Sequence, residues 1–557
     1  MDEKNKPLDV PSEKANIKAD DALSQKETTS EAAVKAAPAQ GIANNLPPDI
    51  KPYIPRSMTP EYRTLKTKVT SPKGLILTVL SILLAILFTE TIFLGTSGIS
   101  VPVFAIAFYS TLFYFFRDIE KPLSKPGVYL TLPVFLMAFS FFLHYNPSTQ
   151  FITWLTLIGL IFIQLVMLGN NPARSIFSFD MFIKVMVNII GRAFTNLPLP
   201  FVSLTVLKGK KTQASKNVVL ILIGIFVSLP VALILLGLFM NADALFENAV
   251  KNSIDYIGLD FGNLFMDLFL GFLGGFLLSA VLLGLKYDES PQKPVGKVGN
   301  CIDGLVVGTF TTVINILLIS FVGFQFVYLF GGAANISLSD ITYAEYARRG
   351  FFELVAASVI IFSIALFALV MTKRKEKRLP VWIQISTLLL CLCNGILLVS
   401  ALKRMLLYVD VYGLSVKRML TLWLMCIIGL CLVWMLIKCF KPDMDVLRLI
   451  GITVVAAVCV LSLTNTERVI AKYNIDRYLS SPANTTIDIY HLGRLSYTAA
   501  PEIARLRNLE PGKNQPTASD IEDILLNQKS SFESRNKLYG FTLDSIEVKR
   551  LFSSLNK

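Results

Sequence analysis

Apolar residues dominate the chain between residues 75 and 464, in runs of about twenty that short polar connections separate. A helix needs roughly 20 apolar residues to cross the hydrocarbon core of a bilayer, because each residue adds only about 1.5 Å. The runs therefore predict an all-α, polytopic transmembrane helix bundle over 75–464. The predicted spans, about eleven in number, lie at 75–94, 99–116, 127–145, 150–169, 217–240, 262–285, 304–331, 351–372, 380–402, 418–438 and 445–464.

The segments that flank the spans differ from them in composition. Residues 1–50 are polar and almost free of aromatic residues, which predicts a disordered tail, and a basic juxtamembrane segment follows at 51–74. Residues 465–557 have helical patterning, with Ser519 and Glu522 as a capping box, and predict a small helical region. Lys and Arg concentrate in alternate connections, so the positive-inside rule predicts a cytoplasmic N-terminus and an extracytoplasmic C-terminal region.

Two connections between spans are amphipathic. Most residues from 176 to 194 are apolar, and the exceptions recur every fourth residue: Asp180, Lys184, Asn188 and Arg192. On a helix they form one polar stripe, so we expect an interfacial helix whose stripe faces water or a neighbouring polar surface. A shorter acidic pattern at 243–257 predicts a second interfacial helix.

Composition narrows the class of protein. The chain of 557 residues is 53% hydrophobic and 17% charged, with a mean hydropathy of +0.57, which excludes a water-soluble enzyme. The net charge of +13 reflects Lys and Arg beside the spans, so we expect the lipid bilayer as a partner and no nucleic acid. Seven cysteines without metal-site spacing and only two histidines predict neither a metal site nor a cofactor.

The densest polar cluster, residues 343–354, joins the seventh and eighth predicted spans. Glu345, Arg349 and Glu353 are four residues apart, so on a helix they form one ladder of charge-assisted hydrogen bonds. Arg348 lies beside this ladder, and Glu353 lies inside the start of a span, where an ionisable group is costly unless it is paired. The cluster is either an ion-pair ladder that docks a helix or a site whose arginines bind phosphate or carboxylate.

A second cluster joins the ninth and tenth spans on the same predicted outer side. Arg404, Tyr408 and Tyr412 are again four residues apart, and Gly413 predicts the end of their helix before Arg418. Tyrosine and arginine at this level often only anchor a protein at the membrane surface. Arg404 and Arg418 nevertheless place positive charge on the outer side, where the positive-inside rule disfavours it, and this favours a binding role.

The seventh span also contains polar residues. Asn315, Gln325 and Tyr328 lead toward the first cluster, so they are candidates for lining one polar path. The alternative is the commoner role of such residues, which is to form hydrogen bonds between helices.

Four segments resemble, in order, those of a known family: YLFGG at 328–332, AEYARRGFFEL at 344–354, YVDVYGL at 408–414 and IAKYNIDRYL at 470–479. Over about residues 200–510 the chain is similar to the bacterial membrane family catalogued as domain of unknown function forty-one seventy-three. The resemblance implies a bacterial integral membrane protein with a cytoplasmic N-terminus. It implies no substrate, reaction or cofactor, and therefore no role for any residue.

Three classes of function fit these features. The leading hypothesis is transport or envelope assembly, with the two clusters binding an anionic or lipid-linked partner. The second is a membrane transferase that acts on a lipid-phosphate donor, but the first outer loop, Gly95–Gly98, has no carboxylate that would serve as its base. The third is a membrane sensor or scaffold. The sequence leaves the substrate and the oligomeric state open.

Overall fold

The structure is a computed structural model of the chain. It describes residues 60–93, 96–117, 125–169, 176–208, six residues between 239 and 248, 261–288, 301–330, 351–374, 379–441, 443–480, 487–507, 517–535 and 538–555. The predicted tail 1–50 lies outside the described residues, as do most of the predicted span 217–240 and most of the interfacial helix 243–257. The contacts divide the chain into Met1–Thr64 and Leu65–Lys557, and the membrane bundle belongs to the second unit.

The described residues before 465 are mostly helical. These helices are α1 (Pro60–Val69), α2 (Pro72–Phe88, continued by a π-helical turn Thr89–Phe93), α3 (Ser100–Phe116), α4 (Lys125–Tyr129), α5 (Thr131–Leu143), α6 (Pro147–Leu168), α7 (Phe179–Val185), α8 (Arg192–Thr195), α9 (Pro198–Leu204), α10 (Phe261–Tyr287), α11 (Gly304–Phe330), α12 (Phe351–Met371), α13 (Val381–Tyr412), α14 (Val416–Phe440) and α15 (Val446–Leu463). A π-helical stretch, Met186–Gly191, joins α7 to α8, and a 3₁₀ turn, Thr205–Lys208, follows α9.

Nine helical segments within the described ranges are long and apolar enough to cross a membrane. This confirms the predicted all-α polytopic bundle. The number differs from the predicted eleven for two reasons: the span at 217–240 lies largely outside the described residues, and α3 has only 17 residues. A tenth span results if the bent pair Met181–Thr195 and Pro198–Leu204 is counted as one.

That bent pair changes the interpretation of the amphipathic segment 176–194. We expected one interfacial helix there, but the segment joins α9 at an angle of 53°. Its stripe is turned inward at Arg192, which is 7% exposed and donates to the carbonyl of Gly284 at 2.7 Å, with Asp288 Oδ2 3.7 Å away. Arg192, the last residue of the stripe, therefore faces the C-terminal end of α10, since a buried guanidinium requires acceptors.

Close packing of α2 on α10 builds the first half of the bundle. Gly271 and Gly275 are four residues apart on α10, and an added Cβ would lie 2.7 Å from Ile86 Cα and 2.5 Å from Ile82 Cα, respectively. This is a small-xxx-small contact, in which the absence of side chains lets two helix backbones approach closely.

The C-terminal cap, defined here as residues 466–555, is also helical. It contains α16 (Thr466–Ser480), α17 (Ile489–Gly493), α18 (Ala500–Ile503), α19 (Ala518–Arg535) and α20 (Asp544–Leu555), with 3₁₀ turns at Tyr497–Ala499, Ala504–Leu506 and Leu538–Gly540. Ile475, Leu492, Leu525 and Val548 are at most 1% exposed and belong to one apolar core. Burial of such side chains stabilises the cap by roughly 1.5–3 kcal/mol each.

The cap contacts connections that all lie at one end of the bundle. The amide of Ile99 donates to the carbonyl of Phe541 at 3.0 Å, and the amide of Leu543 donates to the carbonyl of Phe142 at 2.8 Å. The loop between α13 and α14 contacts the cap as well, through Leu414. The connections after α2, α5 and α13 therefore lie at the same end of the bundle.

Candidate functional site

The end of α13 is where the second predicted cluster meets the cap. Gly413 ends the helix with φ +76° and ψ −179°, a conformation that glycine adopts most readily. The next residue is held by Asn474 of α16, whose Oδ1 accepts from the Leu414 amide and whose Nδ2 donates to the Leu414 carbonyl, both at 2.7 Å. The predicted helix end at Gly413 is thus observed, and a side chain of the cap fixes the turn.

Arg418 folds back from α14 onto this turn. Ser415 caps α14, with its hydroxyl accepting from the Arg418 amide at 3.4 Å, which places Arg418 in the first turn. The guanidinium carbon lies 4.3 Å from the centre of the Tyr408 ring and 5.8 Å from that of Tyr412. The two rings are 4.9 Å apart in an edge-to-face arrangement. Cation–π attraction and ring contact therefore hold three predicted residues together.

Both arginines near the turn bind carbonyls at the C-terminal end of α13. Arg418 Nη1 donates to the carbonyl of Tyr412 at 3.0 Å and also to that of Gly413, and Arg477 Nη2 of α16 donates to the carbonyl of Val411 at 3.1 Å. A helix C-terminus carries about half a negative charge, so it attracts cations. These hydrogen bonds involve one nitrogen of each guanidinium group, which has five N–H donors in all.

A cavity of about 120 Å³ lies between the turn and the cap. Tyr412 and Arg418 line it on the bundle side, and Arg477, Asp488 and His491 line it on the cap side. Asp488 caps α17, since its Oδ1 accepts from the backbone amide of His491 at 2.9 Å. The cavity thus combines two guanidinium groups, a carboxylate that is committed to a helix end, and an imidazole.

The imidazole of His491 also belongs to the lining of this cavity. Its Nε2 is buried and has no hydrogen-bond partner among the described residues. Burial holds the pKa of the imidazole below its usual range, and the nearby Arg418 and Arg494 lower it further, while Asp488 and Glu467 act in the opposite direction. Buried polar atoms normally have partners, so an unpaired nitrogen that belongs to a cavity-lining residue marks a place for a ligand or water.

Of the other predicted residues of the two clusters, Glu353 and Arg404 are described, and neither lines this cavity. Glu345, Arg348 and Arg349 lie outside the described residues, so the ladder stays a prediction, and Glu353 is exposed at the start of α12. Arg404 lies on α13 two turns before Tyr412, and it does not line the cavity in the described part of the chain.

The proposed polar path is described only at its first residue. Asn315 Nδ2 donates to the carbonyl of Ser386 at 2.9 Å and to its hydroxyl at 2.8 Å, which joins α11 to α13. Asn315 therefore forms a hydrogen bond between helices, which is the alternative to a polar path. The side chains of Gln325 and Tyr328 lie outside the described residues.

Sequence reasoning missed most of the residues that line the cavity, including Asn474, Arg477, Asp488 and His491. The first two are three residues apart on α16, so they share a helix face, and they fall within the segment IAKYNIDRYL. That spacing was the available signal. Nothing in the sequence around His491 indicates that its ring reaches residues 412–418.

Residues 131–506 match the family described as Domain of unknown function (DUF4153). The match begins at α5, after α2 and α3, and ends within the cap, and it starts earlier than the expected residue 200. The family number that the sequence segments suggested, forty-one seventy-three, is wrong, while the kind of family, a domain of unknown function, is right. No curated protein and no solved structure matches the chain. The chain, with its multi-pass bundle and the cavity beneath its cap, belongs to the DUF4153 family.

Proposed function

We propose that this bacterial cell-membrane protein binds a phosphate-bearing ligand, free or lipid-linked, in the cavity between the Gly413 turn and the cap. The Lys and Arg bias supports an extracytoplasmic position for this cavity and a cytoplasmic N-terminus. One observation carries the proposal: one cavity is lined by Arg418, Arg477 and His491, and the Nε2 of His491 has no hydrogen-bond partner within the described part of the chain.

Electrostatics supports an anion as the ligand. Two guanidinium groups face one carboxylate, and that carboxylate is already an acceptor for the His491 amide. Guanidinium groups match the oxygens of phosphate and carboxylate in a planar, bidentate geometry. The remaining N–H donors of Arg418 and Arg477 belong to the same cavity as Nε2 of His491, which can also carry a proton. A group with several acceptor oxygens would therefore accept hydrogen bonds from all three residues at once.

Size and position support a phosphate head group rather than a whole large ligand. One water needs roughly 10–15 Å³, so about 120 Å³ holds one anionic group with a few waters. The remainder of a larger ligand would extend past Tyr412, which is 54% exposed, beside Val411, which is 48% exposed. Exposed tyrosine and valine at the end of a span are compatible with the level of lipid head groups.

The position of the cavity also favours envelope assembly over transport. Transporters usually bind their substrate near the middle of the bilayer, at discontinuous helices. This cavity lies at the C-terminal end of the 32-residue helix α13 and is covered by α16 and α17. A site there suits the capture of a molecule at the membrane surface.

The test is binding of dimethyl phosphate to the full chain in a maltoside detergent, measured by calorimetry. Arg477→Ala should weaken binding by about 10- to 100-fold, since a hydrogen bond to a charged group contributes about 1.5–3 kcal/mol. The matched control is Arg507→Ala, which removes another cap arginine, one that pairs with Glu522 at 2.9 Å and does not line the cavity. Arg477→Lys keeps the charge and separates a lost contact from a lost fold.

A second arm identifies the source of the phosphate group. Native mass spectrometry compares phosphatidylglycerol with digalactosyldiacylglycerol, a lipid that has no phosphate. Preferential retention of phosphatidylglycerol, reduced by Arg477→Ala, would indicate a lipid-linked ligand, whereas binding of dimethyl phosphate alone would indicate a free one. If the wild-type chain bound neither, or Arg477→Ala bound both as well as wild type, the proposed function would be wrong.

A further inference from the structure

The imidazole of His491 differs from the two arginines because its charge depends on its surroundings. Its ring is partly buried at the cavity, and Nε2 lacks a hydrogen-bond partner among the described residues. Its backbone amide is held by Asp488, so α17 keeps the ring next to the cavity. A neutral imidazole has one donor nitrogen and one acceptor nitrogen, while the protonated form has two donors.

Charged groups from each neighbouring element act on this ring. Arg418 of α14 and Arg494 after α17 disfavour a further positive charge, while Asp488 and Glu467 favour it. Arg477 of α16 lines the same cavity. Glu467 is itself engaged, since it accepts from the Ser496 amide at 2.5 Å and from the Ser148 hydroxyl. Burial, together with Arg418 and Arg494, holds the pKa of His491 below its ordinary value, which favours the neutral ring near pH 7.

We infer that binding of a phosphate group in this cavity is coupled to uptake of one proton by His491, so that affinity rises as the pH falls. This inference rests on the proposed function. A bound anion between Arg418 and Arg477 offsets their positive charge and offers an acceptor to Nε2–H. The proton comes from the solvent, no covalent bond in the ligand forms or breaks, and the imidazolium–phosphate pair is the product.

The sign of the pH dependence follows from linkage. The anion raises the pKa of His491 in the bound state above its value in the free state, so the bound state holds more protons between those two values. Affinity therefore increases as pH falls through the bound-state value, and it levels off below the free-state value. One coupled proton limits the slope to about tenfold in affinity per pH unit.

Dimethyl phosphate is the appropriate probe, because its charge does not change between pH 5 and 8, whereas phosphate monoesters titrate near pH 6. Calorimetry in two buffers with different ionisation enthalpies measures the protons that are taken up on binding. For the wild-type chain we expect uptake of up to one proton and tighter binding at pH 5.5 than at pH 7.5. His491→Gln, which retains a neutral N–H donor, should bind with no uptake and no slope.

Asp544 also titrates in this range, since its pKa is raised to about 6, so the same titration is repeated in an Asp544→Asn background. Three results would overturn the inference. If wild type binds without taking up protons, or His491→Gln takes up as many as wild type, the coupling is wrong while the anion site stands. If neither dimethyl phosphate nor phosphatidylglycerol binds at any pH, the anion site and the coupling are both wrong.

Discussion

The turn at Gly413 allows the sharpest test of how the cap and the bundle create the cavity. Replacing this glycine with alanine forces a β-carbon into φ +76°, ψ −179°, which costs about 1–3 kcal/mol because only glycine adopts this region readily. The added Cβ would lie 3.3 Å from Asn474 Cγ and closer still to Asn474 Oδ1, so that side chain must move.

Displacing Asn474 weakens its two hydrogen bonds to Leu414, each 2.7 Å long. Losing one such bond costs about 1 kcal/mol. Strain and lost bonding together predict that Gly413→Ala lowers the free energy of unfolding by about 2–4 kcal/mol. The same shift of Asn474 should weaken dimethyl phosphate binding, because Arg477 lies on the same helix face and its Nη1 is 3.5 Å from the added Cβ.

Gly395→Ala is the matched control on the same helix. Its Cβ would meet no atom within 4 Å, so alanine there should leave stability unchanged or raise it slightly, since alanine favours helix over glycine. Both variants are compared with wild type by denaturant titration and by calorimetry in the same detergent. Equal stability and equal affinity for Gly413→Ala and Gly395→Ala would refute the assignment of this turn as a strained, glycine-dependent clamp.

Two further predictions concern the bundle and the cap. Gly275→Ala should lower thermal stability by separating α2 from α10, because its Cβ would lie 2.5 Å from Ile82 Cα. The control is the adjacent Gly274→Ala, whose Cβ would lie 3.8 Å from the nearest atom and which should not lower stability. Similar melting temperatures for the two variants would contradict the close contact. Burial raises the pKa of Asp544 from 3.8 to about 6, so the charged form of this carboxyl group is disfavoured in the folded cap. The protonated carboxyl group therefore contributes at most about 3 kcal/mol to cap stability, and this contribution is fully present below about pH 4 and is lost as the pH rises through about 6. Hydrogen exchange of α20 between pH 4.5 and 7.5 should show this loss in wild type and a weaker one in Asp544→Asn, and a pH-independent wild type would contradict it.

The sequence alone determined the class of the protein and the approximate position of most described spans. A bilayer requires a fixed length of continuous apolar helix, so the spans are encoded locally and can be read from runs of residues. The end of α13 at Gly413 is local in the same sense. The predicted span at 380–402 nevertheless ended ten residues early, because polar residues such as Lys403 and Arg404 end an apolar run without ending a helix.

Two finer details of the fold could not be predicted from the sequence. The capping box of α19 is formed by Thr517 and Asp520, two residues before the predicted pair, although Ser519 and Glu522 have the same spacing. The sequence likewise does not indicate that Gly271 and Gly275 contact another helix, because the contacting residues, Ile82 and Ile86, belong to α2, which is distant along the chain.

The cavity itself was decided by tertiary structure. Tyr408, Tyr412 and Arg418 could be grouped from their spacing, because residues on one helix face and after one turn are close in sequence. Arg477 and His491 come from a part of the chain about sixty to eighty residues later, so only docking of the cap onto the end of α13 brings them to the same cavity. Local periodicity specifies which residues share a face, whereas the partner of that face depends on packing between distant segments.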